Sequence, residues 1–304
     1  MPSRPAPRTR LAVALLLATC ACLVAVLIAC PPSNPRSRAQ PEREKQPEPA
    51  MPTLPPVRTE TSAGTTPPTS RPERPEAKGM LAVVIDDAGY SLEELQGFLD
   101  LPGPVTIAVL PSLPNSREAA RRVAAAGKDL ILHCPMEALG GENAGPGALR
   151  ADQSPAEIAQ ALASAFASVP GAIGMNNHMG SKATADAALM SVVMDFLGRR
   201  GLFFLDSRTT AETVGEETAR SAGVPYLSRD IFIDAGRSAE EIARAFESGT
   251  ASARARGSAV MIGHVQNRGV LDILRAGERG LGEQGIRLAR LEDILRRREK
   301  EPSR

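Results

Sequence analysis

Short apolar runs alternate with helix-forming segments throughout residues 79–297. The runs that are typical of strands are 81–86, 104–110, 129–133, 172–176, 202–206, 226–233 and 258–263. Their nearly continuous apolarity indicates strands that are buried on both faces, as in a parallel sheet. Repeated β–α units predict an α/β fold, either a (β/α) barrel or a doubly wound sheet. About seven parallel strands favour the barrel, in a distorted form.

Four of the intervening segments begin with a helix-capping signature. Ser91, Asn115, Ser154 and Ser238 each stand three positions before a Glu. In such pairs the two side chains satisfy free amide groups in the first turn of a helix. Pro155 adds a residue that is favoured at this position. We therefore expect helices to begin at these four places.

The first thirty residues lie outside this pattern. A basic leader precedes an apolar run from Leu11 to Cys30, which predicts a signal peptide or an uncleaved membrane anchor. The stretch from Leu27 to Cys30 also resembles a bacterial lipobox, so a lipoprotein is a third alternative. All three alternatives predict an exported, periplasmic or cell-envelope protein. Contact with the membrane is expected through this segment only.

Residues 31–78 are rich in Pro, Ser, Thr and charge and poor in apolar side chains. This composition predicts a disordered, Pro-rich linker. It leaves 79–297 as one globular domain and 298–304 as a tail. Three of the four cysteines lie in residues 1–30, so Cys134 has no disulfide partner in the domain and is expected in its core. A net charge of +1 gives no support for nucleic-acid binding, and the sequence carries no signal for an oligomeric state.

Polar side chains gather where the predicted strands end. Parallel α/β folds place function at the carboxyl ends of their strands. The residues found there are Asp86, Asp87 and Tyr90 after the first strand, His133 and Glu137 after the third, Asn176, Asn177, His178 and Ser181 after the fourth, Asp206 and Arg208 after the fifth, and His264 after the last. All three histidines of the chain are in this set.

Two imidazoles and one carboxylate form the ligand set of a catalytic zinc site that leaves a position for water. The metal lowers the pKa of that water, a second carboxylate can accept its proton, and a further histidine can protonate the leaving group. The set therefore predicts metal-assisted hydrolysis of an amide or ester. Each residue alone also has a structural explanation. An Asp can cap the next helix, a His can be a buried hydrogen-bonded side chain, and Asp206 can pair with Arg208.

Motifs of other enzyme classes are missing from the sequence. It contains no Gly-x-Ser-x-Gly elbow, no P-loop and no Gly-rich turn after the first strand. Serine hydrolases, P-loop nucleotide hydrolases and dinucleotide-binding enzymes are therefore unsupported. A metal phosphoesterase would need ligands for a second metal ion, and the sequence offers no second set.

Five segments carry a family resemblance, namely "VVIDDAGY", "ILHCPME", "GMNNHMGS", "FLDSRT" and "VMIGH". In this order they resemble the divergent polysaccharide deacetylase family, a branch of the NodB-type polysaccharide deacetylases. The resemblance covers essentially all of 79–297 and implies a metal-dependent, distorted (β/α) barrel. It also implies that Asp86 is the general base, that Asp87 and His133 bind the metal, and that His264 is the general acid.

The sequence departs from the typical deacetylase motifs at four places, one of which is the third motif, where "NNHMGS" stands in place of an arginine-bearing motif. Glu137 stands where the second motif has another histidine, and His178 is expected to replace that ligand. The fourth motif keeps Asp206 without a tryptophan, and the last motif reads "GHVQN", where divergent members often have Gly-His-Pro. The remaining polar residues at the strand ends are expected to bind substrate or support the ligands: Tyr90, Glu137, Asn176, Asn177, Ser181, Asp206 and Arg208.

The sequence thus predicts an exported, zinc-dependent (or other divalent-metal-dependent) hydrolase that removes acetyl groups from an envelope glycan. Sugar-binding surfaces use aromatic side chains, and only Tyr90 is an obvious candidate near the predicted site. A small acetylated sugar or a short glycan is therefore a better expectation than a long polysaccharide. The altered motifs support the alternative of a non-catalytic envelope binding or regulatory module on the same fold.

Overall fold

The computed structural model describes residues 78–236 and 238–300. Its strands are β1 (Gly79–Ala88), β2 (Thr106–Val109), β3 (Asp129–Met136), β4 (Gly174–Met179), β5 (Phe203–Asp206), β6 (Tyr226–Ser228), β7 (Ile231–Phe232), β8 (Ser258–His264) and β9 (Ile286–Leu288). Its α-helices are α1 (Leu92–Leu99), α2 (Ser116–Ala125), α3 (Pro155–Ser168), α4 (Ala187–Gly198), α5 (Gly215–Ala222), α6 (Ala239–Arg256), α7 (Arg268–Leu281) and α8 (Leu291–Lys300). A short 3-10 turn covers Ala183–Ala185.

The strands form one curled, parallel sheet. Its order is β6-β5-β4-β3-β2-β1-β8-β7, and β9 pairs with the start of β1 beside this path. Helices connect most consecutive strands and pack on the outer face of the sheet, as expected of β–α units. The predicted distorted (β/α) barrel is therefore confirmed, with two edge strands in place of a regular closed ladder.

The prediction of one strand over 226–233 is wrong. The segment divides into β6 and β7, which pair with opposite ends of the sheet. Two residues make the crossing: the Arg229 amide donates to Asp206 O on β5, and the Asp230 amide donates to Val260 O on β8. Asp230 also accepts the Val260 amide at 2.7 Å. An apolar run cannot reveal a change of partner strand, and β9 was too short to be predicted.

Two apolar cores lie on the two faces of the sheet. The larger core joins one side of the strands to the outer helices and includes Cys134, as expected. The smaller core fills the concave side with alternate residues of β1, Met80, Ala82 and Val84, and α8 covers it at the amino ends of the strands. Because side chains alternate along a strand, Asp86 continues the inner row of β1 above this filling.

Three of the four predicted helix caps are confirmed. Ser91, Ser154 and Ser238 each accept a hydrogen bond from the amide of the Glu three residues later. Asn115 does not cap α2, although that helix begins at the next residue. Its side chain instead donates to the Tyr90 carbonyl at 2.8 Å and ties two loops together.

No helix among residues 78–236 and 238–300 is long and apolar enough to span a bilayer. The apolar run from Leu11 to Cys30 and the linker up to residue 77 lie outside the described residues, as does the end of the chain from residue 301. Residues 298–300 of the predicted tail continue α8.

Candidate metal centre

The register of the sheet brings the strand ends together. His133 on β3 lies opposite Asn176 on β4, and Asp86 on β1 lies opposite His264 on β8. His178 stands two residues beyond Asn176 on β4, opposite Pro135. The three histidines and the paired aspartates therefore meet at one end of the concave face.

Adjacent carboxylates reach the same site because the backbone of β1 leaves the regular strand conformation. Asp87 has a φ of 65°, in the left-handed region, and the pairing of β1 with β2 shifts register between Ile85 and Ala88. In a regular strand Asp86 and Asp87 would point to opposite faces. The irregularity cancels that alternation. Gly89, with a φ of 125°, then turns the chain towards α1.

Asp87, His133 and His178 present three ligand atoms to one point. Asp87 Oδ1 lies 3.1 Å from His133 Nε2 and 3.0 Å from His178 Nδ1, and the two imidazole nitrogens are 3.1 Å apart. Ligands bonded to one zinc ion at about 2.0–2.2 Å have separations close to these. The donor set and its spacing fit a divalent metal, and these three residues would hold it.

The hydrogen-bonding state of the cluster also favours a cation. Among the described residues, Asp87 Oδ1 is the buried side-chain atom that has no hydrogen-bond partner. His133 donates to it only as an imidazolium, because its neutral form carries the proton on Nδ1, whereas His178 donates to it whenever its own Nδ1 carries a proton. The nearby carboxylates do raise the pKa of His133 against the effect of its burial. Burial alone would raise the pKa of Asp87, but the two imidazoles lower it well below its usual value. A proton and a metal ion therefore compete for one position.

Asn176 orients both the ligand and the neighbouring base. Its Oδ1 lies 2.8 Å from His133 Nδ1, and its Nδ2 donates to Asp86 Oδ1 at 2.8 Å. An amide oxygen can only accept, so His133 Nδ1 carries a proton and Nε2 directs a lone pair at the cluster. Supporting hydrogen bonds of this kind fix the orientation of metal-binding histidines.

Asp86 stands beside the cluster with a different electrostatic character. The side chain is 2% exposed, and its Oδ2 lies 3.7 Å from His133 Nε2. Burial raises the pKa of Asp86, and the charges of His133 and His264 oppose part of that rise. A carboxylate with a raised pKa is a stronger proton acceptor than an exposed one. The pKa of Asp86 is therefore raised and the pKa of Asp87 is lowered, although the two residues are adjacent.

His264 lies on the other side of Asp86 and is held by a carboxylate that the sequence analysis missed. Its Nδ1 lies 3.0 Å from Asp234 Oδ1, and its backbone amide donates to Asp234 Oδ2 at 3.1 Å. Burial lowers the pKa of His264, but the bond and charge of Asp234 outweigh this and raise it to about 9. Asp234 lies two residues after β7 and immediately after the predicted strand 226–233, so reading the end of that run would have found it.

Phe232 and Arg229 form a stack behind His264. The rings of Phe232 and His264 are 5.8 Å apart with an interplanar angle of 22°, and the Arg229 guanidinium lies 3.8 Å from the Phe232 ring centre. Arg229 is fixed by hydrogen bonds to the carbonyl oxygens of Ser207 and Arg208. The stack limits the rotation of the imidazole. Nothing in an apolar "IFI" run predicts it.

Three other predicted site residues, Asn177, Ser181 and Tyr90, lie in loops around the ligand cluster. Asn177 accepts the Ser207 amide and donates to Met179 O, which supports the loop after β4. Ser181 accepts the Leu139 amide at 2.9 Å. Tyr90 is 58% exposed at the rim of the site.

Two acidic side chains of the predicted set, Glu137 and Asp206, are engaged in contacts outside the ligand cluster, and Arg208 is held through its backbone. Glu137 pairs with Lys182 at 2.9 Å and accepts the Ala151 amide, so its carboxylate is committed outside the ligand cluster. Asp206 accepts hydrogen bonds from Thr213 and Tyr226 and from the backbone amide of Arg208. Arg208 itself has a φ of 51°.

The fold and the centre define a class, a parallel barrel with an Asp-His-His cluster at the carboxyl ends of its strands and a buried carboxylate beside it. Residues 83–295 match the family model described as divergent polysaccharide deacetylase. The chain belongs to this family, as the sequence motifs indicated.

Two bacterial proteins and one crystal structure are similar to this chain. An uncharacterized protein of Haemophilus influenzae is 38% identical over 68% of this chain and 74% of its own length. The uncharacterized protein YibQ of Escherichia coli is 37% identical over 62% of this chain and 60% of its own length. The crystal structure of the uncharacterized protein ATU2773 from Agrobacterium tumefaciens C58 has a TM-score of 0.68 at 24% identity, over 71% of this chain and 89% of that one. The last similarity concerns the fold.

Proposed function

We propose that this protein is an exported, metal-dependent deacetylase of an envelope-associated glycan or small acetylated sugar. One observation supports the proposal most directly. Three atoms that can bind a metal, on Asp87, His133 and His178, lie within 3.1 Å of one another, and a second, buried carboxylate lies beside them. Zinc is the ion that best suits two imidazoles and one carboxylate. When bound, such an ion polarises a carbonyl and lowers the pKa of a water molecule.

The roles of the remaining residues follow from their surroundings. Asp86 takes one proton from the attacking water, since burial raises the pKa of its carboxyl. Water oxygen joins the acetyl carbon, and the bond from that carbon to nitrogen or oxygen breaks. His264 gives its proton to the leaving amine or alcohol, because Asp234 keeps the imidazole charged at neutral pH. Acetate and the free sugar amine or hydroxyl are the products.

The base and the acid are placed on neighbouring strands. Asp86 and His264 are direct partners in the register of β1 and β8, whereas the histidine ligands come from β3 and β4. This arrangement puts a proton acceptor next to the ligands and a proton donor beyond it. Both are needed for hydrolysis, and a binding module needs neither.

The test uses the full-length chain purified in neutral detergent. We expect about one zinc per chain by elemental analysis and release of acetate from acetylated chitooligosaccharides or murein fragments. Asp87→Asn should lose the metal and the activity. Asp86→Asn should keep the metal and lose at least about a hundredfold in kcat. Ser112→Ala, on a loop outside the centre, serves as the control and should match the wild type in both measurements.

Two results would count against the proposal. Metal binding without acetate release from any acetylated sugar would favour the binding module, whose supporting observation is the commitment of Glu137 to Lys182. Failure of Asp87→Asn to change the metal content would remove the centre itself. Fractionation of cells that express the full chain tests export, which we propose from the apolar run between Leu11 and Cys30.

A further inference from the structure

The two edge strands of the curled sheet are joined through a side chain. β6 pairs with β5 and β7 pairs with β8, and among the described residues no ladder joins β6 to β7. Arg229 lies between these two strands in the chain. Its Nε donates to Ser207 O at 2.8 Å, and its Nη2 donates to Arg208 O at 3.1 Å. The guanidinium thus fastens the segment before β7 to the loop after β5.

The charge of Arg229 costs stability at this place. Both of its hydrogen-bond acceptors are neutral carbonyl groups, and it forms no ion pair within the part of the chain that the structure describes. The residue is half-buried, and burial together with the charge of Arg208 lowers its pKa. An apolar side chain of the same length would avoid the cost of burying a charge. The stability of the fold alone therefore does not explain a guanidinium at position 229.

The shape of the guanidinium explains it better. The group donates to two carbonyl oxygens, and it also lies over the Phe232 ring, 3.8 Å from the ring centre. A planar group with paired N–H donors can make both kinds of contact at once, whereas a lysine has neither the paired donors nor the flat face. The two kinds of contact together therefore specify arginine at position 229.

The contact with Phe232 leads to the proposed general acid. Phe232 stacks on His264, with ring centres 5.8 Å apart and an interplanar angle of 22°. The imidazole is also held at its Nδ1, which lies 3.0 Å from Asp234 Oδ1. If Phe232 were displaced, the imidazole would be held at Nδ1 alone and could tilt about that contact. Arg229 therefore supports the orientation of His264 through the ring between them.

The contact with Ser207 leads to the proposed general base. The backbone of Ser207 is held on both sides, because its carbonyl accepts from Arg229 and its amide donates to Asn177 Oδ1 at 2.8 Å. Its Oγ accepts from Asn176 Nδ2 at 3.2 Å, and the same nitrogen donates to Asp86 Oδ1 at 2.8 Å. Each of the two amide hydrogens thus has one acceptor. The position of Ser207 therefore sets the direction from which Asn176 meets Asp86.

We propose that Arg229 is a positioning residue that aligns the proton acceptor Asp86 and the proton donor His264 with each other. It acts on Asp86 through Ser207 and on His264 through Phe232. This inference rests on the proposed deacetylation, in which both groups move a proton in one reaction. Because a single planar group holds both supports, its loss should impair the two proton transfers together.

The kinetic test uses the full-length, zinc-loaded chain in neutral detergent. Arg229→Met should lower kcat for acetate release at least about tenfold and change KM less than about twofold, because it misaligns the proton-transfer groups without removing a ligand. Arg229→Lys should show a similar loss, since lysine keeps the charge but not the paired donors or the flat face. An unchanged kcat in Arg229→Met, or full activity in Arg229→Lys, would overturn the proposal.

Arg200→Met is the matched control. Arg200 also lies over a phenylalanine ring, 3.6 Å from the centre of Phe196, and donates to the Phe196 carbonyl, but it follows α4 outside the site. This variant should have the kcat of the wild type, and an equal loss in it would assign the effect to general destabilisation. Arg229→Met combined with Phe232→Leu should lose less than the product of the two single effects. Losses that multiply in full would mean that Arg229 does not act through Phe232.

A spectroscopic measurement tests the alignment without substrate. The chain has three histidines, so NMR of the untagged protein with labelled histidine gives three ring signals. The stacked Phe232 ring shifts the signal of His264, and Arg229→Met should move that signal to its position in Phe232→Leu, whereas Arg200→Met should leave it in place. An unchanged His264 signal in Arg229→Met counts against the role of Arg229. A wild type that releases no acetate counts against the proposed activity instead.

Discussion

The two ends of the sheet treat charge in opposite ways. At the carboxyl end, Asp86, Asp87 and Asp234 are largely buried and each faces an imidazole. At the amino end, arginine side chains surround a single saturated carboxylate, and the apolar residues of α8 fill the space between the strands. The first arrangement suits a cation held among fixed ligands, whereas the second presents longer and more exposed cationic side chains. One barrel thus places the candidate metal centre at the carboxyl ends of its strands and apolar packing just inside their amino ends.

The largest expected effect tests the packing at the amino end. Ile294 on α8 is fully buried in the smaller core. Ile294→Ala should lower the free energy of unfolding by about 2–5 kcal/mol, because it leaves a cavity among β-strand side chains. Chemical denaturation with urea measures this loss. If the two ends are independent, zinc content and acetate release below the transition should match the wild type.

The next effect tests the support of the metal ligands. Asn176→Ala removes the acceptor of the His133 Nδ1 proton and the donor to Asp86. We expect metal affinity to fall about 10–100-fold, as for other supporting residues of metal sites. Competition with a fluorescent chelator measures the affinity. An unchanged affinity would mean that the packing of β3 alone orients His133.

A smaller and more specific effect concerns pH. His264 must be protonated to serve as the acid, and its pKa of about 9 places the loss of activity near that pH. Asp234→Asn removes the charge that raises this pKa, so the alkaline limb of the kcat profile should move to lower pH. A bound metal lowers the pKa of His264 in the wild type and in the variant. The two proteins are therefore compared when loaded with the same ion. The metal affinity of the variant should equal that of the wild type. A lower affinity would mean that the substitution destabilises the centre.

The smallest effect tests the ring behind His264. Phe232→Leu keeps the volume roughly constant but removes the surface on which the imidazole and Arg229 stack. We expect kcat to fall a few-fold, in line with about 0.5–1.5 kcal/mol for an aromatic pair. KM should change little, because the ring lies behind the acid. A larger change in KM than in kcat would assign Phe232 to substrate binding.

The sequence predicted the strands and the side chains that follow them because both depend on local patterns. Apolar runs locate β1, β3, β4, β5 and β8, and the end of each such run locates the candidate residues. The division of the 226–233 segment into β6 and β7 was not predictable from local patterns. The crossing at Arg229 and Asp230 depends on hydrogen bonds to residues far away in the chain. Asp234 was missed for a different reason, because it stands immediately after the predicted strand 226–233 and the end of that run was not searched for polar residues.

The ligand cluster depended on geometry that a motif does not contain. The sequence placed Asp87 beside Asp86, but only the left-handed backbone at Asp87 shows how both carboxylates face one site. The replacement of a ligand at Glu137 by His178 was expected from the family resemblance and from the position of His178 at the end of the next strand. The structure gives it a physical basis, since Glu137 is held by Lys182 and the Ala151 amide.

The first strand of the domain is completed by the last elements of the chain. β1 pairs with β8 along most of its length and with β9 at its start, and α8 seals the core beneath it. A polypeptide interrupted before residue 258 would leave the backbone N–H and C=O groups on one side of β1 unpaired, as in an exposed edge strand. Such a chain is prone to aggregate during synthesis and has to be shielded until its final segment arrives.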